Sequence, residues 1–272
     1  MKNKPAVKRI DLSFVVVEYH CVDDIKKCIS SIRHSADGLL HEIIVSSNSP
    51  YPVDKRRNLE REMPDVRWVF NAVNRGFAGA VNAGIAHASG SCIVITNADV
   101  VFKQGSLASA YRYLTDHRDA GIIGPKIVDR EGNIQDCCRR FMTPWRFSVR
   151  FAKRLLFRRD VVLRKGFDYG KLQPVDWIVG AFMMVKREAM EKVGLMDEDY
   201  FLYVEDMDWC KRFRDLGYSV IYYPGLTVEY KADKKSIMPL VSGGFINEYT
   251  LHHVRSYWRF LKKHRMFLGI KK

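Results

Sequence analysis

The sequence predicts an α/β fold built on a mostly parallel sheet with helices on both faces. Three observations carry this. Short β-branched apolar runs alternate with helix-period segments over the first hundred residues. The first run is continuous and not alternating, as in a strand buried on both faces. Small polar and acidic residues follow the runs, where an open α/β sheet holds its ligand.

Residues 10–17 form the first strand, and residues 22–34 a helix with Ile25, Cys28, Ile29 and Ile32 on one face. Residues 42–45 are a second strand, ended by the turn-rich SSNSPYP, and residues 66–70 a third. Residues 77–88 read as a helix of small residues, packed closely through Gly79, Ala80, Ala83 and Gly84. Residues 92–96 are the fourth strand and 104–117 the next helix. The basic stretch 139–165 breaks the pattern, and residues 176–185 resume as strand-like. Residues 205–216 form a helix stopped by Gly217, followed by strands at 218–223 and 226–230. Residues 248–264 form a terminal basic, aromatic helix.

At 272 residues the chain can bury a full core as one large domain with a helical extension. An apolar share of 47% with 12% aromatics excludes a disordered chain. The cysteines at 21, 28, 92, 137, 138 and 210 form no CxxC pair. Zinc spacing is therefore absent, a disulfide framework is not expected, and a reduced cytosolic interior fits best. The N-terminal apolar run is too short for a signal segment and reads as a strand. No apolar stretch approaches the roughly 20 residues of a spanning helix, so a soluble or peripheral protein is expected.

The formal charge of +14 is concentrated. Residues 139–165 hold ten Lys/Arg against Asp160 alone, and residues 252–272 hold seven with no acid. Within 144–165 and again in the tail, aromatics interleave with the cations. Such segments suit the interface of an anionic membrane, here the inner face of the cell membrane. A solvated basic face with its aromatics packed inward is the alternative. No RNA-module signature is present, so no nucleic acid is expected.

Candidate chemistry sits at three places. Asn97 and Asp99 end the fourth strand in TNADV. A carboxylate there can share a divalent ion with phosphate oxygens, and an Asx turn is the structural alternative. The segment NRGFAGAVNAG enters a helix whose free N–H groups can face a phosphate, with Arg75 as a charged donor. Helix–sheet packing explains its glycines equally well, and it is neither a Walker loop nor GxGxxG. Glu205 and Asp206 follow the apolar run at 200–204 and open a helix. Adjacent acids beside aromatics suit a catalytic base, while acids at a helix start also complement its dipole.

Taken in order, NRGFAGAVNAG, TNADV, GPKIVDREG, GAFMMVKRE, GLMDEDYFLYVEDMDWCKR and YYPG resemble the family 2 glycosyltransferases of the GT-A fold. Within them the chain is similar to the bacterial rhamnosyltransferase-like group, over residues 11–236. The resemblance implies a Rossmann-like GT-A domain over 1–236, with a nucleotide-sugar half at 1–100 and an acceptor half at 101–236, then a basic helical extension at 237–272. It implies that Asp99 binds Mg2+ or Mn2+ and that Asp206 is the general base. The first-strand end, Val17 to His20, falls where the family holds base and ribose, with Val17 and Tyr19 as the candidate contacts, and Arg75 and Asn82 fall where it lines the nucleotide-sugar. Ser47, Asn97, Gly180 and Glu205 join the substrate-binding set. Trp177, with Asp176, is expected on the acceptor side, stacking on a sugar or buried as a core residue. Glu198, in the acidic loop Asp197-Glu198-Asp199, is expected to shape the acceptor pocket. His20, His34, His41, His87 and His117 read as surface or packing residues.

The implied activity is inverting transfer of a sugar from a dTDP- or UDP-sugar, such as dTDP-rhamnose, to a hydroxyl of a lipid-linked or cell-surface glycan. A single base with no protein nucleophile gives direct displacement. Two positions depart from the family pattern. Ser47 stands where an aspartate usually contacts the nucleotide base, and Tyr230 where a histidine commonly helps hold metal or diphosphate, with Glu229 beside it as a substitute ligand. Ser236 matches a serine often found beyond that position. A weak or inactive nucleotide-sugar-binding homologue is the first alternative. A sugar nucleotidylyltransferase is the second, disfavoured because no triphosphate loop follows the first strand.

Overall fold

The computed structural model describes residues 9–36, 38–103, 107–141, 144, 166–230 and 248–266, and the backbone of 241–242 and 245–246. In chain order the elements begin β1 (Leu12–Glu18), α1 (Val22–Ser35), β2 (His41–Ser47), α2 (Val53–Glu62), β3 (Val66–Phe70) and α3 (Gly76–Ile85). They continue with β4 (Cys92–Asn97), β5 (Val100–Phe102), α4 (Leu107–Asp116), β6 (Ala120–Val128), β7 (Cys138–Arg139), β8 (Gln173–Pro174) and β9 (Trp177–Ile178). The last are β10 (Phe182–Lys186), α5 (Arg187–Val193), α6 (Glu205–Asp215), β11 (Ser219–Tyr230), β12 (Val241–Ser242), β13 (Phe245–Ile246) and α7 (Glu248–Lys263).

The main sheet runs β3-β2-β1-β4-β10-β6-β11-β5, with β8 paired to β11. Strands β3, β2, β1 and β4 are parallel, as the β-α-β order predicts. Beyond them the sheet becomes mixed, in keeping with the mostly parallel sheet expected. Strand β10 enters antiparallel between β4 and β6, pairing Phe182 with Thr96, and β5 runs antiparallel to β11. The arrangement is an α/β fold on a mixed, largely parallel sheet. Residues 218–223 and 226–230 are parts of one strand, β11, whose register shifts between Tyr223 and Thr227 around Pro224-Gly225.

Burial explains the elements. All of β1 except Val17 is buried, and Ile25, Cys28, Ile29 and Ile32 of α1 pack on the sheet as their spacing predicts. The α1 helix carries Asp23 and Asp24 in its first turn and Arg33 and His34 in its last, both complementing its dipole. Helix α6 buries Met207, Trp209, Cys210 and Phe213, with the Trp209 indole N–H donating to the Gly194 carbonyl at 2.9 Å. Helix α7 buries Tyr257, Phe260 and Leu261. Among the described residues, no helix is long and apolar enough to cross a membrane. The basic segment 144–165, apart from Pro144, lies outside the described residues, as do Ser236 and residues 104–106 of the expected fourth helix.

Candidate active site

The acidic pair is set by the backbone before α6. Tyr203 and Val204 both have left-handed φ, 66° and 75°, which is uncommon for any side chain and more so for β-branched valine. This bend delivers Glu205 and Asp206 into the first turn of α6, beside the turn that precedes β10. Asp206 Oδ2 accepts the Gly180 N–H at 2.8 Å, and Oδ1 accepts the Met207 N–H at 2.7 Å. A Cβ on Gly180 would meet Phe77 Cε1 at 3.0 Å and Asp206 Cβ at 3.4 Å, so the close approach requires a small residue there. Burial pushes the Asp206 carboxyl up, against the pull of the two N–H groups and the Arg139 charge. Glu205 is 5% exposed, and its Oε2 is buried without a hydrogen-bond partner. Burial, then the Asp206 charge, pushes Glu205 well above the usual carboxylate range. Of the pair, Glu205 is pushed up the more strongly and Asp206 gives up its proton the more readily, an order that suits proton acceptance by Asp206.

The second carboxylate site is joined to the first through the sheet. Asn97 pairs with Val17 in register at the ends of β4 and β1, and the Ala98 N–H reaches the Val17 carbonyl at 3.1 Å. The Asn97 N–H donates to the carbonyl of Ala181, next to Gly180, at 3.1 Å. Asp99 occupies the turn between β4 and β5. It lines a cavity of about 220 Å³ with Asp24, Lys27, Val101, Arg130 and Glu229. Tyr230 is brought to the same place, with its hydroxyl 3.4 Å from Asn97 Nδ2. Glu229 is ion-paired with Lys103 at 2.6 Å. Among the described residues, no group of three or more His, Cys, Asp or Glu is gathered closely enough to hold a metal unaided. Asp99 and Glu229 are hard oxygen donors on one cavity, and this set fits Mg2+ or Mn2+ completed by phosphate oxygens and water.

At the ends of β1 and β2 the structure corrects an expectation. Ser47 is fully buried and its hydroxyl donates to Glu18 Oε2 at 2.5 Å, so it is withdrawn from any ligand. A carboxylate is present at this strand end after all, carried on β1 by Glu18 and opposite Ser47 in register. The stretch Val17 to His20 is expected at the base and ribose, and within it Glu18 is buried and faces the strand partner, not a ligand. Tyr19, next in the chain, is 51% exposed at the carboxyl edge of the sheet.

Arg75, Asn82 and Glu198 converge. Arg75 Nη2 lies 2.9 Å from Glu198 Oε2, and Asn82 Nδ2 donates to Glu198 Oε1 at 3.0 Å. Asn82 is buried, and its amide also bonds both the carbonyl and the N–H of Met196, so it anchors the acidic loop and does not present itself to a ligand. Gly76 seals the same junction. Its φ is 71°, and a Cβ there would lie 2.1 Å from the Phe201 carbonyl oxygen, which accepts the Phe77 N–H at 3.0 Å.

Trp177 is buried, its indole N–H on the Arg140 carbonyl at 3.1 Å and its face under Arg139. It is a core residue and not a sugar-stacking platform. Asp176 is likewise spent on Arg214 and on the Phe141 N–H. The tail helix is less free than its charge pattern implies. Lys263 and His264 reach the fully buried Asp208 at 2.9 and 2.8 Å, Lys263 also pairs with Asp197, and Arg259 pairs with Asp199. Burial raises the Asp208 carboxyl, but hydrogen bonds from His264 and Lys263 and the Arg212 charge outweigh it and hold the group at about 2. These contacts clamp α7 onto the acidic loop and the helix that carries Asp206.

Known proteins share the sequence pattern and the fold of this chain. The family model described as glycosyl transferase family 2 matches residues 13–194. The N-acetylglucosaminyl-diphospho-decaprenol L-rhamnosyltransferase of Mycobacterium tuberculosis strain H37Rv is 27% identical over 179 residues, covering 61% of this chain and 58% of that protein. This chain thus spans little more than half the length of that relative. Rhamnosyltransferase WbbL of Escherichia coli strain K12 is 25% identical over 262 residues, 93% of each protein. Among solved structures, GalNAc-T7 with UDP, GalNAc and Mn2+ shares the fold with a TM-score of 0.66 at 14% identity, covering 94% of this chain and 48% of that one. The mannosyltransferase PcManGT of Pyrobaculum calidifontis, with GDP-Man and Mn2+, gives 0.61 at 18% identity, covering 97% and 66%.

Proposed function

This chain belongs to glycosyl transferase family 2, and on that premise we propose that it is an inverting transferase moving a sugar from a nucleoside-diphosphate donor to a hydroxyl of a glycan acceptor. The observation that carries the reading is the placement of Asp206. It is hydrogen-bonded to Gly180, two residues from the start of β10, whose neighbour β4 leads directly into Asp99. This supports a reading in which base and diphosphate site flank one strand edge, at the carboxyl ends of β1 and β4.

In this reading the donor lies across the strand ends, its nucleoside toward Val17 and Tyr19 and its diphosphate toward Asn97 and Asp99. Asp99, with Glu229, would hold Mg2+ or Mn2+, which when bound supplies positive charge for the departing diphosphate. Ionised Asp206 accepts the proton of the acceptor hydroxyl as that oxygen attacks the anomeric carbon. The bond from that carbon to the diphosphate oxygen breaks on the opposite face, so configuration inverts. Neutral Glu205 keeps a second negative charge away from the attacking oxygen. In this reading the donor half falls within residues 1–100 and the acceptor half within 101–236, where the acidic loop Asp197-Glu198-Asp199 shapes the pocket.

The rhamnosyltransferase relatives favour a deoxyhexose donor such as dTDP-rhamnose and a lipid-linked acceptor. The exposed face of α7 supports a place at an anionic membrane surface, at the inner face of the cell membrane. Leu251, Val254 and the 62%-exposed Trp258 follow one another at helical spacing, beside exposed Arg255 and Lys262. A panel of dTDP- and UDP-sugars with Mn2+ or Mg2+ tests the function. Transfer by the wild type and its loss in Asp206→Asn supports the reading. Nucleotide-sugar binding without turnover favours instead a binding homologue, the outcome toward which Tyr230 at the metal end would point.

A further inference from the structure

Glu18 is an ionisable side chain with no exposure at all, at the end of a central strand where an apolar residue would bury without cost. Its carboxylate is fully engaged. Oε1 accepts the Cys21 N–H at 3.0 Å, the Ser49 hydroxyl at 3.0 Å and the Tyr51 hydroxyl at 2.7 Å, while Oε2 accepts the Ser47 hydroxyl at 2.5 Å. These donors come from two places, the β1–α1 turn and the loop that leaves β2. Ser49 completes the link, since its oxygen also accepts the His20 N–H at 2.7 Å. His20 is held at a left-handed φ of 54° by that bond. Tyr19, between the anchored Glu18 and His20, therefore stands out from the sheet edge, its ring 4.3 Å from that of His20.

A saturated, buried carboxylate has no acceptor left for a ligand. Its effect is on the shape of the turn it organises. We propose that Glu18 is a positioning residue for the donor nucleoside. Through Ser49 and His20 it fixes Tyr19 so that the exposed phenol ring forms a stacking surface for a planar nucleobase. The inference rests on the donor reading above, in which base and ribose already lie at this end of β1, and what it adds is Glu18, a residue that acts on that place at second hand. The diphosphate end, at Asp99, lies outside the node.

The test is calorimetric binding of UDP, dTDP and inorganic pyrophosphate, with Mn2+ present, to wild type, Glu18→Gln, Tyr19→Ala and the double variant, with melting temperatures recorded. Glu18→Gln is expected to weaken nucleoside-diphosphate binding about tenfold while pyrophosphate binding stays at the wild-type value. The double variant is expected to bind nucleotide no worse than Tyr19→Ala alone, because both changes remove one stacking surface. A role limited to stability would lower the melting temperature and leave the ratio of nucleotide to pyrophosphate affinity unchanged, and this would overturn the proposal. Additive losses in the double variant would also overturn it. Should Glu18→Gln not fold, Ser49→Ala, which removes the His20 acceptor, takes its place with the same expectations. Wild type that binds pyrophosphate but neither nucleotide contradicts the donor reading itself. Wild type that binds both, with an unaltered Glu18→Gln, contradicts only the role of Glu18.

Discussion

The Asp206 carboxylate accepts the Gly180 backbone N–H at 2.8 Å, and this bond ties the first turn of α6 to the strand edge that leads to Asp99. It fixes the carboxylate without removing its ability to take a proton. The N–H favours the ionised form, burial opposes it, and the net result is a carboxyl raised above its ordinary value of 3.8.

Activity should therefore rise with pH. Transfer requires ionised Asp206, so kcat/KM increases through an apparent pKa above 3.8 and reaches a plateau above it. Asp206→Asn should keep the fold and lose about 10²- to 10⁴-fold in kcat. A pH–rate profile of both proteins at saturating donor measures this.

Glu205→Gln should stabilise the protein, with a definite pH dependence. The folded-state carboxyl is raised well above 4.5. Between 4.5 and that higher value the unfolded chain releases a proton that the folded chain retains, so the wild type loses stability as pH rises through this window. The neutral amide removes that loss. Melting temperatures should coincide below pH 4.5 and favour the variant at neutral pH, and equal values at pH 7 would count against a protonated Glu205.

Asp208 has the opposite sign. Its carboxyl is depressed from 3.8 to about 2, so its contribution is complete above 3.8 and is lost as pH falls through about 2. That contribution is on the order of 2 kcal/mol. Asp208→Asn leaves Lys263 and Arg212 without their buried counter-charge and should cost about 3 kcal/mol. Urea unfolding at pH 7 and pH 3 reads both effects.

Gly76→Ala should separate α3 from the acidic loop. The added Cβ meets the Phe201 carbonyl at 2.1 Å, and φ is 71°. The loop that positions Glu198 and leads into Glu205 must move, so activity should fall more than stability. Turnover and melting temperature measured on one preparation distinguish the two.

Trp258→Glu should reduce sedimentation with vesicles rich in anionic lipid and leave transfer to a soluble acceptor intact, since Trp258 lies on the face of α7 away from Ser256, Tyr257 and Phe260. Equal sedimentation of wild type with neutral and anionic vesicles would remove the electrostatic part of this reading.

Much of this arrangement was legible in the sequence. The parallel half of the sheet follows from continuous β-branched runs, and the strand end before Asp99 and the helix start at Asp206 are legible too, while the roles of those two acids rest on the resemblance and not on their placement. What stayed hidden has physical causes. Helix α2 buries only Leu59, so it carries no apolar stripe to read. Strand β6 contains Gly121, Gly124 and Pro125, which read as loop. The antiparallel direction of β10 is a property of the assembled sheet, which no local pattern encodes. The burial of Asn82, and the choice between stacking and core for Trp177, depend on partners distant in sequence, Met196 and Arg140. The role of Glu18 within the strand end is hidden for the same reason, its partners at 47, 49 and 51 meeting it only when β1 and β2 lie side by side.

The most direct test of the central claim is NMR of the product formed from one nucleotide-sugar by wild type and by Asp206→Asn. The account predicts that wild type forms a glycosidic bond with inverted anomeric configuration, and that Asp206→Asn binds the same donor but forms little product. A retained configuration, or undiminished turnover by Asp206→Asn, would contradict it.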